Sequence, residues 1–140
     1  MKLRMVRPSP SYYIRLPEGV AEQSDGRVSS FWIDGEPLLL QLSSYVREKG
    51  RQPSARSRLR DRMAKHSEAW TIWSAGLHPD DTLDQATAEF IDKNGVLWLH
   101  SYLVWPHLAI YITISGPEDL VSNEKNWARQ SLGSLRLTTH

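Results

Sequence analysis

The sequence predicts an α+β fold, a single α/β/α sandwich in which an antiparallel-rich sheet carries two principal helices. Three observations predict it. The 140 residues suit one domain and can bury a core without staples. Apolar and polar residues alternate through most of the second half, as in strands buried on one face. Two segments have helical spacing instead, one opening after Ser54 and one closing at Gly133.

Taken in order, residues 1–10 read as a loose start, flexible and broken by Pro8 and Pro10. Residues 11–16 suggest a first strand, ended by Pro17-Glu18-Gly19. Phe31-Trp32-Ile33 is a short strand, Asp34-Gly35-Glu36-Pro37 a turn, and 38–47 a partly buried strand. Lys49-Gly50-Arg51-Gln52-Pro53 breaks the chain, and Ser54 is placed to cap a helix. In that helix Ala55, Leu59, Met63 and His66 form one stripe, with Arg56, Arg58, Arg60 and Arg62 spread over the rest. So narrow an apolar stripe puts the helix outside the sheet with most of its girth in water.

Residues 70–75 read as a strand and 76–85 as an acidic loop. Two hairpins follow: 87–91 with 96–104, turning at Asp92-Lys93-Asn94-Gly95, and 96–104 with 109–115, turning at Trp105-Pro106-His107-Leu108. Asn94-Gly95 accepts the positive φ that hairpin turns require. Two four-residue loops set Ile91 opposite Val96 and Val104 opposite Ala109. One face then carries Ala88, Phe90, Leu97, Leu99, Ser101, Leu103, Ile110, Ile112 and Ile114, a core face. The other carries Thr87, Glu89, Ile91, Trp98, His100, Tyr102, Tyr111, Thr113 and Ser115, with Tyr102 facing Tyr111 and His100 facing Thr113. A helix from Asp119 or Ser122 to Leu132 turns Leu120, Trp127, Ala128, Ser131 and Leu132 inward. Gly133 stops it with positive φ, and 134–138 is a closing strand.

Composition narrows the function classes. No cysteine is present, which removes disulfides, thiolate catalysis and cysteine zinc sites. The N-terminus is charged before it meets its prolines, unlike an export signal. No apolar run approaches the ~18 residues of a membrane span, so a cytosolic protein without a membrane role is expected. Net charge is +1, yet residues 47–65 hold eight Lys or Arg against Glu48 and Asp61. Residues 66–140 hold four basic residues against nine carboxylates. That asymmetry either steers a charged partner or marks an exposed helix followed by acidic loops.

The order strand, hairpin, strand, then Ile114-Ser115-Gly116-Pro117, Trp127 in a helix, and Ser131-Leu132-Gly133-Ser134-Leu135-Arg136-Leu137 resembles the ending of PsbP-like domains. This α/β/α sandwich superfamily includes the photosystem II extrinsic protein, a Ran-binding nuclear import factor and Eag-type bacterial chaperones of type VI secretion effectors. The resemblance covers 38–138 by element order and 96–137 by residue. It implies a protein-binding role, because known members mostly bind other proteins, and it carries over no functional residue. The basic stretch 47–65 departs from the family pattern, and the N-terminal third does not match it.

Among candidate sites, His78-Pro79-Asp80-Asp81 with Asp84 is the densest group of metal-ligand types. It lacks the glycine and distal glutamate of a calcium loop, and Asp80 or Asp81 capping a turn is the simpler reading. No metal and no cofactor is expected. His100 and His107 have the residue type for acid–base work, but no nucleophile or paired carboxylate is set beside them. No catalytic residue is assigned, and the chain is expected not to be an enzyme. Arg56, Arg58, Arg60 and Arg62 with stacking aromatics suit nucleic acid as an alternative partner. They circle the helix, however, instead of forming one stripe.

The aromatic-polar sheet face favours a protein partner, since Tyr, Trp and Arg are enriched where proteins bind one another. Left open, Trp98, His100, Tyr102 and Tyr111, with Tyr45 and Arg47 from 38–47, make a partner surface. Covered by a helix, they make a second core layer. A homodimer through that face or an edge strand is a further arrangement. The expected function is a non-enzymatic adaptor, chaperone or immunity-type protein.

Overall fold

Hairpins build most of this protein, and their registers decide which side chains meet. The computed structural model describes residues 2–47, 49–66, 70–73 and 76–138. β1 (Leu3–Ser9) and β2 (Tyr12–Pro17) pair antiparallel from Leu3–Pro17 to Val6–Ile14, so the start is a strand and not a loose segment. Its pattern is inverted, which hid it. Leu3 and Met5 face out at 54% and 60% exposure, while Arg4 turns inward to pair with Glu22 at 3.1 Å. Pro8 is tolerated because β1 is an edge strand.

β3 (Ala21–Asp25) and β4 (Val28–Trp32) form a hairpin around Gly26, whose φ is 66°. This hairpin extends well beyond the short strand expected at 31–33. β5 (Leu39–Val46) pairs with β4, and α1 (Ala55–Met63) follows. Ser54 caps α1 as expected, accepting the Ser57 N–H at 3.1 Å. Asp84, distant in sequence, accepts the Ala55 N–H at 3.1 Å and ties the helix start to the sheet. His66 lies beyond the helix end and is exposed.

The remaining strands are β6 (Thr71–Trp73), β7 (Asp84–Ile91), β8 (Val96–Val104) and β9 (Leu108–Pro117). Ser74 and Ala75 of the strand expected at 70–75 lie outside the described residues. The helix expected over 119–132 is two pieces, α2 (Glu118–Val121) and α3 (Trp127–Gly133). Asn126 makes the break. Its amide nitrogen donates to the Leu120 and Val121 carbonyls at 3.1 Å each, and its oxygen accepts the Arg129 N–H at 2.8 Å. One side chain thus closes α2 and opens α3. Gly133 does not adopt positive φ, because Ser134 caps the helix end with αR geometry and donates to the Ser131 carbonyl at 2.6 Å. β10 (Arg136–Leu137) closes the chain against β2.

The fold is α+β, and its strand pairs are antiparallel. A seven-stranded sheet runs β3-β4-β5-β9-β8-β7-β6, and a three-stranded sheet runs β1-β2-β10. One face of the large sheet supplies Phe31, Leu40, Leu42, Leu99, Leu103, Ile110, Ile112 and Ile114 to the main core. Tyr12, Ile14 and Leu16 of β2 cover it, with Val121, Ala128 and Leu132 of the short helices. α1 lies on the opposite face, with only Ala55, Leu59 and Met63 buried, as the narrow stripe predicts. No described helix is long and apolar enough to cross a membrane.

The β8–β9 register is the expected one, with Val104 opposite Ala109, Tyr102 opposite Tyr111 and His100 opposite Thr113. The β7–β8 register is not. Ile91 faces Leu97, not Val96. Gly95, at φ 78°, puts an extra residue into the turn, where the Asp92 N–H donates to the Val96 carbonyl at 2.9 Å. A one-residue slip reverses a whole strand. Ala88 and Phe90 therefore lie on the α1 side, and Thr87, Glu89 and Ile91 on the other. Thr87 is buried and donates to Ser101 at 3.2 Å, while Ser101 donates to the Ala86 carbonyl at 2.9 Å.

Gly116 sits where β9 passes closest to the chain entering β5. A Cβ there would stand 2.7 Å from the Pro37 carbonyl oxygen and 3.3 Å from Val121 Cγ2. Gly116→Ala is expected to cost about 1–3 kcal/mol, the usual penalty of overpacking, read as a lower midpoint in urea unfolding.

Candidate binding face and its arginine–tyrosine cluster

α1 settles which part of the aromatic face is free. Its buried stripe packs on Ala86, Ala88, Tyr102, Val104, Ala109 and Tyr111. The alanines let the helix come close, and the slip in β7 is what brings Ala86 and Ala88 to this side. Tyr102, Tyr111 and His100 are consequently 4%, 8% and 8% exposed. For these three the face is a second core layer and not an open surface. Trp98 and Tyr45 are half-buried and Arg47 is exposed.

What stays open is the end of the face over β4, β5, β9 and the start of β8. Register aligns Trp32 with Leu39, Leu39 with Ser115, and Ser115 with Trp98, one row across four strands. Strand spacing puts the two tryptophans roughly 14 Å apart. The next row is Ser30, Gln41 and Thr113, joined by hydrogen bonds from Gln41 to Ser30 at 3.1 Å and from Thr113 to Gln41 at 3.3 Å. Two indole walls thus flank a floor of small polar side chains. Each indole is held from behind: Trp32 donates to Asp34 at 3.1 Å and Trp98 to Asp92 at 3.2 Å. Trp32 and Leu39 escaped as a pair because the turn at Asp34-Gly35-Glu36-Pro37 is shorter than the connection that joins them, so it did not reveal the β4–β5 register.

At the α1 border of this face, Arg62 reaches inward. Its Nε donates to the Tyr102 hydroxyl at 2.8 Å and one terminal nitrogen to the Tyr45 hydroxyl at 3.2 Å. Its guanidinium carbon lies 3.8 Å from the Tyr111 ring centroid, a cation–π contact. Burial opposes the charge, but the hydrogen bond to Tyr102 and the neighbouring phenols outweigh it and hold the group above the ordinary guanidinium value. Burial raises the Tyr111 phenol, more than Arg62 lowers it.

Tyr111 is hydrogen-bonded to His100 Nδ1. The His100 ring stands 4.5 Å from Trp70 and 5.9 Å from His66. Burial, then the charges of His66 and Arg62, push His100 down to about 4. It is neutral at pH 7 and enclosed by rings.

The other candidate residues separate. His107 is exposed in the β8–β9 turn, with Nδ1 3.3 Å from the Arg47 carbonyl, away from His100 in mid-strand. Asp80 caps a turn, accepting from the Thr82 N–H at 3.0 Å and its hydroxyl at 2.6 Å. Those bonds from Thr82 hold its carboxyl below the usual range. Asp84 is occupied by the α1 N-terminus, and among the described residues no group of three metal-ligand side chains converges. Arg56 and Arg60 are exposed, whereas Arg58 and Arg62 turn in toward the sheet and their neighbours. The four arginines present no single stripe to a phosphate backbone.

Because folding lowers the His100 pKa below its ordinary 6.5, the stability it supports is complete above pH 6.5 and lost as pH falls toward 4. Urea unfolding between those pH values should show the native protein losing about 3 kcal/mol more than His100→Gln. Equal losses in both proteins would show that His100 does not titrate this way.

No family model matches the chain, and no curated protein does. Solved structures do. A crystal structure at 1.50 Å from Bacteroides thetaiotaomicron VPI-5482 is 13% identical with a TM-score of 0.61, over 92% of this chain and 46% of that one. The chain spans about half the length of that protein. At this identity the likeness is one of fold.

Proposed function

We propose that the chain is a non-enzymatic protein-binding module that takes its partner on the open end of the large sheet's outer face. The row Trp32–Leu39–Ser115–Trp98 carries this reading. Two half-buried indoles, each anchored through its N–H, offer apolar area at low entropic cost, which is what interface anchors require. Gln41 and Thr113 between them supply polar contacts. Arg47 and Arg51, both exposed, lie at the far end of β5 beside the β8–β9 turn and are not part of this row. A partner segment with apolar side chains flanking a polar, uncharged stretch fits that surface. The resemblance of 96–137 to PsbP-like domains, whose known members mostly bind proteins, supports the same reading.

The test is capture from the native host's lysate at low and moderate salt, comparing the wild type with Trp98→Asp and Trp32→Asp. A protein recovered stoichiometrically at both salts, and lost from both variants while their melting temperatures hold, is the expected outcome. Recovery unchanged by both substitutions overturns the proposed surface. Nucleic acid recovered at low salt and released as salt rises would assign the arginine helix instead.

A further inference from the structure

Beside the open face, under the C-terminal half of α1, lies a pocket of about 340 Å³ whose lining includes Arg58, Asp61, Arg62, Lys65, His66 and Tyr102. Among the described residues its cations are not matched by carboxylates. Among the described residues the one ion pair is Arg4–Glu22, and Asp61 comes within salt-bridge distance of none of Arg58, Arg62 or Lys65. Arg62 is fixed in place by two phenol oxygens and the Tyr111 ring, and its other terminal nitrogen makes no hydrogen bond to any described residue. Arg58 donates to Gln52, but its Nε is buried without an acceptor. Both Tyr102 and Tyr45 accept from Arg62, so their hydroxyl hydrogens remain available to donate.

Two guanidinium groups, an ammonium and the Tyr102 phenol thus line one pocket, with an excess of two positive charges once Asp61 is counted against Arg58, Arg62 and Lys65. A planar guanidinium pairs best with an oxoanion that accepts at more than one oxygen. A carboxylate would satisfy one arginine, whereas a phosphate monoester dianion has both the charge and the oxygens for two. The volume leaves room for a small organic body against Tyr102.

We infer that this pocket binds a small phosphate monoester through Arg58, Arg62 and Lys65. Binding here is independent of the protein partner, because the tryptophan row is not part of the lining.

Calorimetric titration of the full chain with inorganic phosphate and with glycerol 3-phosphate, at constant ionic strength set with chloride, tests it. Saturable binding is expected, with glycerol 3-phosphate at least as tight as inorganic phosphate. Arg58→Gln and Lys65→Gln should weaken it about tenfold each, as loss of a charged contact does. Arg56→Gln, exposed and outside the pocket, and Trp98→Asp should leave it unchanged. Arg62→Gln should abolish it, and the two other pocket variants carry the test if that protein does not fold. No saturable heat up to on the order of 10 mM ligand overturns the inference, as does equal weakening by Arg56→Gln. Binding of inorganic phosphate with exclusion of the ester would overturn the monoester assignment.

Discussion

Tyr102 and Tyr111 face each other across β8 and β9, with ring centroids 4.9 Å apart, and the rest of the molecule is arranged around that pairing. With these two rings on one side, Leu103, Ile110, Ile112 and Ile114 must point to the other, where the main core gathers. The tyrosine side is too polar to close on itself. It needs a cover that brings apolar area to the rings and donors to their hydroxyls. α1 supplies both, with Leu59 and Met63 for packing and Arg62 for hydrogen bonding. Burying the rings without Arg62 would leave the Tyr102 oxygen without its donor and the Tyr111 face without its cation, and burying Arg62 without the rings would leave a cation in a poorly solvated place. Each makes the other tolerable.

The helix reaches that position because β7 offers it alanines. Gly95 allows the extra residue in the β7–β8 turn, the slip turns Ala86 and Ala88 toward α1, and Asp84 at the start of the same strand holds the helix N-terminus. A turn, a strand face and a helix cap are thereby coupled. The short reach of α1 follows from its length, nine residues, which covers the β7–β9 end and leaves the β4–β5 end to Trp32, Leu39 and Gln41. The open face is the part of the sheet that the helix is too short to cover.

Much of this was legible in the sequence wherever turns and alternation were both regular. The four-residue loop at 105–108 had no bulge, so counting through it placed Tyr102 opposite Tyr111 correctly. The same counting failed at 92–95, because whether Gly95 takes up an additional residue depends on hydrogen bonds to Asp92 that no pattern displays. Strand β1 was illegible for the opposite reason: Leu3 and Met5 face water while Arg4 shares the inner side with Val6, against the alternation expected of a strand. The break between α2 and α3 rests on Asn126 bonding to carbonyls on one side and an N–H on the other, an arrangement with no periodic trace. For the candidate site, residue types were visible but their company was not. Arg62 looked like one of four equivalent arginines until the sheet beneath it was in place.

The small sheet joins the two ends of the described chain: Tyr12 and Tyr13 of β2 pair with Leu137 and Arg136 of β10, and Arg15 donates to Ser134 at 2.8 Å. A strand is thus completed by one that follows it by more than a hundred residues, Arg15 and Ser134 being 119 apart. During translation Tyr12, Ile14 and Leu16 emerge long before α3 and β10 exist to shelter them, so a nascent chain displays this strand until those elements follow. Closure of so distant a pair comes late and slowly, because loop entropy must be overcome before the contacts form. The cell must keep that strand from finding another edge in the interval.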